Sequence, residues 1–164
     1  MSRKIAIGSD HRGFNAKGNL ARFLQNAGFE VVDVGCMGPE GCDYPERAFA
    51  VGRLISTGEC PLGLLICGSG IGMSIAANKV RGVRAAVVTD KHMAAMSRRH
   101  NNANVLCLSA DMLSEGELLE ILDAWLNATF EGGRHQRRLD AIAAYEGAAF
   151  DTSHVPTLSQ STTD

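Results

Sequence analysis

Short apolar runs and longer stretches of helical period alternate along the chain. Lys4–Gly8 (KIAIG) is brief and apolar, and Ala16–Asn26 carries Leu20, Phe23 and Leu24 at helical spacing, with Ala27 just beyond. Val31–Val34 follows Gly28 and reads as a second strand, and Tyr44–Ser56 reads as a helix opened by Asp43-Tyr44-Pro45. Leu62–Cys67 (LGLLIC) is a continuous apolar strand, followed after a glycine turn by a helix over Ile71–Lys79. Val83–Thr89 is the fourth strand, Asp90–His100 a helix with Asp90 at its N-cap, and Val105–Ser109 the fifth strand. Ser114 introduces a helix over Glu115–Thr129, with Glu117 at capping-box spacing. The breaker Glu131-Gly132-Gly133 then precedes a last helix, Arg134–Glu146.

Near-continuous apolar strands separated by helices mean parallel strands buried on both faces. The pattern therefore predicts an α/β fold: a three-layer, doubly wound (Rossmann-like) five-stranded parallel sheet with helices on both faces and right-handed crossovers. Residues 1–146 make one domain. The stretch 147–164, rich in Ser, Thr, Gly and Pro, reads as a flexible C-terminal tail or an arm packed on a partner. In such sheets ligands sit outside the carboxyl ends of the strands, which turns the question of function into one about the loops there.

Composition narrows the field. With 164 residues, 45% hydrophobic and 21% charged, the chain has the make-up of an ordinary globular domain. A formal charge of −2 argues against a basic nucleic-acid binder, although a local anion site remains open. No apolar run reaches the roughly 18 residues of a membrane span, and the charged start MSRK leads straight into a strand, so a cytoplasmic, membrane-free protein is expected. Cysteines fall at 36, 42, 60, 67 and 107 with no C-x-x-C pair. Such spacing argues against a disulfide framework or a zinc site, and each reads first as a small buried hydrophobe.

The strand ends carry the chemistry. Strand one ends in Gly8-Ser9-Asp10-His11, and strand three in Cys67-Gly68-Ser69-Gly70-Ile71-Gly72. The fourth strand ends in Thr89-Asp90, and its helix closes with His100-Asn101-Asn102. These groups are expected to converge on one edge. The glycine loop is neither the dinucleotide G-x-G-x-x-G, which would need a glycine at Met73, nor a P-loop, which would need Gly-Lys-Ser/Thr. It can be a nest of backbone N–H groups for an anion or developing oxyanion, or simply a tight turn for close helix–sheet packing. Cys67 at its lip can be a packing residue, or a thiolate favoured by a helix N-terminus and able to take a proton from carbon. Beside such a nest the chemical reading is the stronger one. Arg134 and Arg138, four residues apart, share a helix face and form either a solvated basic patch or a forked phosphate clamp, which could reach a strand-end rim in a neighbouring subunit.

Taken together, Gly8–Phe14 (GSDHRGF), Asp43-Tyr44-Pro45, Ile66–Lys79 (ICGSGIGMSIAANK), Arg99-His100-Asn101 and Phe130–His135 (FEGGRH) resemble the B-type ribose-5-phosphate isomerases, in the family that also holds galactose- and allose-6-phosphate isomerases. The resemblance spans about residues 3–146. It implies reversible aldose–ketose isomerisation of a phosphorylated sugar through a cis-enediolate, with no cofactor and no metal. Cys67 would be the base between C1 and C2, and the N–H groups of Gly68, Ser69, Gly70, Ile71 and Gly72, with the Ser69 hydroxyl, would hold the enediolate oxygens. His100 would assist ring opening, and Asn101 would contact sugar hydroxyls. Asp10, His11 and Tyr44 would line the substrate, and Arg134 and Arg138 would bind its phosphate. The family implies homodimers, sometimes tetramers, with active sites completed across the subunit interface.

The chain departs from the family at Ser69, at Ser9, at His92, and most of all at Asp111, where relatives usually carry an arginine supporting the phosphate end. Either Arg134 and Arg138 suffice or the substrate preference has shifted. Ribose 5-phosphate and ribulose 5-phosphate are the favoured pair, with allose 6-phosphate, galactose 6-phosphate or a tetrose 4-phosphate as alternatives. A non-catalytic sugar-phosphate binder is disfavoured because it has no use for Cys67 and His100. A nucleotide-dependent oxidoreductase is disfavoured by the glycine spacing and by Val34-Gly35 ending strand two, with Asp33 read as a satisfied polar group inside it.

Overall fold

The computed structural model describes residues 3–148. Its elements run β1 (Lys4–Ser9), α1 (Phe14–Asn26), β2 (Glu30–Asp33), α2 (Tyr44–Ser56), β3 (Leu62–Cys67), α3 (Ile71–Ala77), β4 (Ala85–Val87), α4 (Lys91–Asn101), β5 (Val105–Ser109), α5 (Glu115–Asn127) and α6 (Arg134–Gly147). The five strands are all parallel, in the order β2-β1-β3-β5-β4. This is the doubly wound α/β sheet that the apolar runs predict. The expected tail begins inside α6 at Gly147, and from residue 149 onward it lies outside the described residues.

Strand composition sets the layers. Ile5, Ile7, Leu64, Ile66, Leu106 and Leu108 point into one apolar layer with α1, α4 and α5, including Leu20, Leu24 and the fully buried Trp125. Their neighbours Ala6, Leu65, Cys67, Val105 and Cys107 face α2 and α3 on the other side, as period-two alternation requires. Asp90 caps α4 by accepting from the Met93 N–H at 2.8 Å, and Ser114 with Glu117 forms the expected capping box on α5. Asp33 is indeed satisfied: it takes the buried Lys17 ammonium at 2.6 and 2.7 Å and the Gly35 N–H at 2.8 Å.

β4 is shorter than the run 83–89 because it is an edge strand, paired only to β5. At its start the Asn104 side chain takes the Arg84 N–H at 2.7 Å. α3 ends at Ala77 rather than Lys79, where the Asn78 side chain turns to bridge Ala85 N–H and C=O. The cysteines need one correction. Cys60, Cys67 and Cys107 are free and buried, but the loop between β2 and α2 doubles back to pair Cys36 with Cys42 as a disulfide, their Cα atoms 6.3 Å apart.

The strand order reverses between β1 and β3: the chain moves outward from β1 to β2, then returns to the far side of β1. Loops leaving the two strands diverge there, which opens a crevice at their carboxyl ends. That crevice holds Asp10 and Cys67.

Candidate active site

The loop after β3 is held by its neighbours. Ala110 N–H donates to the Cys67 carbonyl at 2.9 Å and Asp111 N–H to the Gly68 carbonyl at 3.2 Å, extending the β3–β5 pairing past the strand ends. Gly70 adopts φ +77°, and a Cβ there would lie 3.2 Å from the Leu108 carbonyl, so both the backbone and the space call for glycine. The loop then turns so that the Gly70 N–H donates to Cys67 Sγ at 3.1 Å. The sulfur belongs to a residue only 5% exposed, but it opens on a cleft of about 340 Å³ lined also by Asp10, Tyr44, Ser69 and Gly72. The Tyr44 ring lies 2.9 Å from where a Gly72 Cβ would stand, so the glycine lets the tyrosine cover the loop. Cys107 lies behind, fully buried, its thiol pushed up first by burial and then by proximity to Cys67, so it stays neutral.

Two expectations about this half of the site change in detail. The N–H groups of Gly70 and Ile71 are taken by Cys67 Sγ and by Ser69 Oγ, the latter at 3.3 Å, so the nest expected over Gly68–Gly72 is partly closed. The Gly72 N–H, in the first turn of α3, has no intrahelical acceptor and remains able to receive an anion. Asp10 is 7% exposed and accepts from the N–H groups of Arg12 and Gly13 at 2.9 and 3.0 Å, so one carboxylate oxygen shapes the loop while the residue lines the cleft. His11 is exposed and does not line it.

His100 and Asn101 are not on this rim within the one chain, which corrects the expected convergence; Arg134 and Arg138 are not on it either, and for them the sequence pointed to the rim of a neighbouring subunit. A helix joining two parallel strands must run back antiparallel to them, so α4 carries its last residues to the amino edge of the sheet. There Asn101 lines a groove of about 410 Å³ with Arg84, Ala85, Ala103, Leu139 and Ile142. His100 stacks on His135 with ring centroids 4.2 Å apart and planes 7° from parallel. Glu131 Oε2 lies 3.6 Å from His100 Nε2 and 3.7 Å from His135 Nε2, while its Oε1 takes the Arg99 guanidinium at 2.5 and 2.6 Å. The Arg99 hydrogen bond holds the Glu131 carboxyl below its ordinary range. Burial, then the neighbouring His100, lowers His135 and favours its neutral form. Arg134 and Arg138 are exposed on α6 nearby.

Among the described residues, His100, Glu131 and His135 also form the group that could hold a metal ion, with ligand atoms within 4.8 Å of one another. Their nearly parallel rings direct the nitrogen lone pairs side by side rather than at a common point, so a tetrahedral ion would require one ring to turn. The residues that sequence reasoning left unassigned are Glu131 and His135, whose i,i+4 spacing was the available signal, and the pair Arg12 and Asp111 on the cleft rim. Arg12 Nε and Nη2 donate to Asp111 Oδ2 at 2.8 and 2.7 Å, a contact across 99 residues that raises the guanidinium further.

The model of the Ribose/Galactose Isomerase family matches residues 5–142. The chain belongs to that family. Among its relatives, ribose-5-phosphate isomerase B of Escherichia coli is 45% identical over 144 residues, covering 88% of this chain and 97% of the relative. The solved structure of a ribose-5-phosphate isomerase B from Clostridium thermocellum superposes with a TM-score of 0.86 at 49% identity, covering 88% of this chain and 97% of that one. The Mycoplasma genitalium ribose-5-phosphate isomerase B, solved with bound ribulose 5-phosphate, has a TM-score of 0.86 at 45% identity, over 89% and 97%. Members of this ribose/galactose isomerase family are aldose–ketose isomerases, and the five-stranded parallel sheet is common ground with them.

Proposed function

We propose that the protein interconverts D-ribose 5-phosphate and D-ribulose 5-phosphate through a cis-enediolate, with Cys67 as the base that moves a proton between C1 and C2. One observation carries this reading: a sulfur at the topological switch point, opening on a cleft and receiving the Gly70 N–H at 3.1 Å. An N–H aimed at sulfur is the contact an anionic sulfur takes, and it leaves the other sulfur lone pairs for the substrate. A sugar C–H is a very weak acid, so the base acts only if the developing oxyanion is held at the same moment. Gly68, Ser69 and Gly72 line the cleft, and their N–H groups with the Ser69 hydroxyl are the donors this reading assigns to that task.

The groups for ring opening and phosphate binding lie at the other edge of the sheet, so the complete site requires a second copy of the chain. In this reading His100, Asn101, Arg134 and Arg138 of one copy face the Cys67 cleft of the other. Ile71 and Ile75, one turn apart on α3 beside the cleft, are 54% and 58% exposed, and Ile142 and Tyr145 on α6 are 48% and 59% exposed. Apolar side chains flanking both half-sites are what a homodimer buries. In the ring-opening step His100 passes a proton to the ring oxygen as the C1–O4 bond breaks and the C1 hydroxyl gives up its proton to water, leaving the aldehyde, with Glu131 and the neutral His135 keeping the His100 imidazole in place. No cofactor enters this scheme.

Initial rates on ribose 5-phosphate, allose 6-phosphate, galactose 6-phosphate and erythrose 4-phosphate, compared in a chelating buffer, test the reading. The expected result is the highest kcat/KM on ribose 5-phosphate, undiminished by chelator. Turnover of none of the four sugars, or activity lost to chelator and restored by a divalent ion, would overturn it.

A further inference from the structure

The Cys67 cleft carries two carboxylates, Asp10 and Asp111, and, among the described residues lining it, one cation, Arg12. By charge alone this half of the site repels a sugar phosphate, so how it admits one needs an answer. Asp111 is fixed by its own N–H on the Gly68 carbonyl at 3.2 Å, and its Oδ2 gathers Arg12 Nε and Nη2. A Cβ on Gly68 would meet Asp111 Oδ2 at 2.7 Å and Arg12 Nε at 3.0 Å, so the ion pair rests directly on the peptide that follows Cys67. With both bonds on one edge of the guanidinium, Nη1 has no acceptor among the described residues. The two side chains are 55% and 40% exposed, so the pair is open to ligand as well as to water.

We propose that Arg12, braced by Asp111 over Gly68, is the cation with which this chain's own half of the cleft reads the substrate phosphate. The inference rests on the sugar-phosphate isomerase reading above and adds a specificity residue to it. Arg12 offers its unused N–H groups to a phosphate oxygen, while Asp111 fixes the direction of the fork and partly cancels its charge. The pair thereby sets how tightly the phosphate is held, and Asp111 acts as a positioning residue that does not touch the phosphate.

A purely structural ion pair and a phosphate reader respond differently to substitution. Either Arg12→Met or Asp111→Asn breaks the ion pair, so a structural role predicts effects in the same direction. A phosphate reader predicts opposite directions. Arg12→Met removes the cation, whereas Asp111→Asn removes a competing anion and leaves an amide oxygen that still accepts from Arg12. The test is the Kd of the full-length chain for ribitol 5-phosphate, which has no carbonyl to isomerise, measured by calorimetry beside kcat and KM for ribose 5-phosphate. Arg12→Met is expected to raise Kd and KM by about 10- to 100-fold, the usual effect of losing charge-assisted hydrogen bonds, with kcat within about 3-fold. Asp111→Asn is expected to lower Kd about 2- to 5-fold at low salt. Adding Asp111→Asn to Arg12→Met is expected to recover part of the lost affinity, since a bare carboxylate no longer faces the phosphate. Kd raised alike by both single variants, or unmoved by Arg12→Met, would overturn the proposal. Because binding is read without turnover, failure of the unaltered chain to isomerise ribose 5-phosphate would count against the isomerase reading separately.

Discussion

At the carboxyl edge of the sheet Cys67 sits on backbone whose carbonyls are tied to the β5 loop and whose Gly70 N–H returns to the sulfur, in a residue 5% exposed. At the amino edge His100, Glu131 and His135 are held mainly by side chains, with Arg99 anchoring the carboxylate and exposed arginines on the next turns of α6. The first region is finished by the fold itself. The second is a set of charges and rings assembled at the end of a helix, far from any strand-end crevice of its own. The contrast teaches that one chain carries two separate clusters at opposite edges of a single sheet, and in the proposed reading the chemistry belongs to paired copies.

The difference can be pressed from either side. The largest effect is expected at the carboxyl edge: Cys67→Ala, which removes the proposed base, should lower kcat about 1000-fold or more, while the Kd for ribitol 5-phosphate changes little. Turnover retained in that variant would place the base elsewhere. At the amino edge His100→Asn is expected to slow ribose 5-phosphate by about 10- to 100-fold. Its effect on ribulose 5-phosphate should be smaller, because with the carbonyl at C2 and the C5 hydroxyl phosphorylated that sugar has no ring to open. Equal losses for both sugars would assign His100 to the proton transfer itself. The smallest change tests the scaffold: Gly70→Ala forces a side chain into φ +77° beside the Leu108 carbonyl. Denaturant unfolding should report a loss of about 1–2 kcal/mol.

Much of the first half-site was legible in the chain because its information is local. The run Leu62–Cys67 could only be a strand buried on both faces, and the glycines after it could only be a turn, so Cys67 at a strand end followed directly. Asp90 and Ser114 announced their helices for the same reason, since a cap acts within one turn. The placement of His100 was not legible in that way. The polarity of α4 decides it, and helical periodicity does not mark which edge of a sheet receives a helix end. The Arg12–Asp111 pair was hidden for a related reason: it joins loops after β1 and β5, which flank β3 only because the strand order is β2-β1-β3-β5-β4. The Cys36–Cys42 pairing likewise depends on the path of an irregular loop.

The central claim is that each active site joins Cys67 of one copy to His100 of another. It is tested most directly by mixing two impaired variants, Cys67→Ala and His100→Ala, after reversible subunit dissociation, and assaying ribose 5-phosphate isomerisation. If sites are shared, random pairing gives half mixed dimers with one intact site each, so activity returns to about a quarter of the unaltered protein's. Activity that stays at the level of the separate variants, despite verified subunit exchange, would contradict the account.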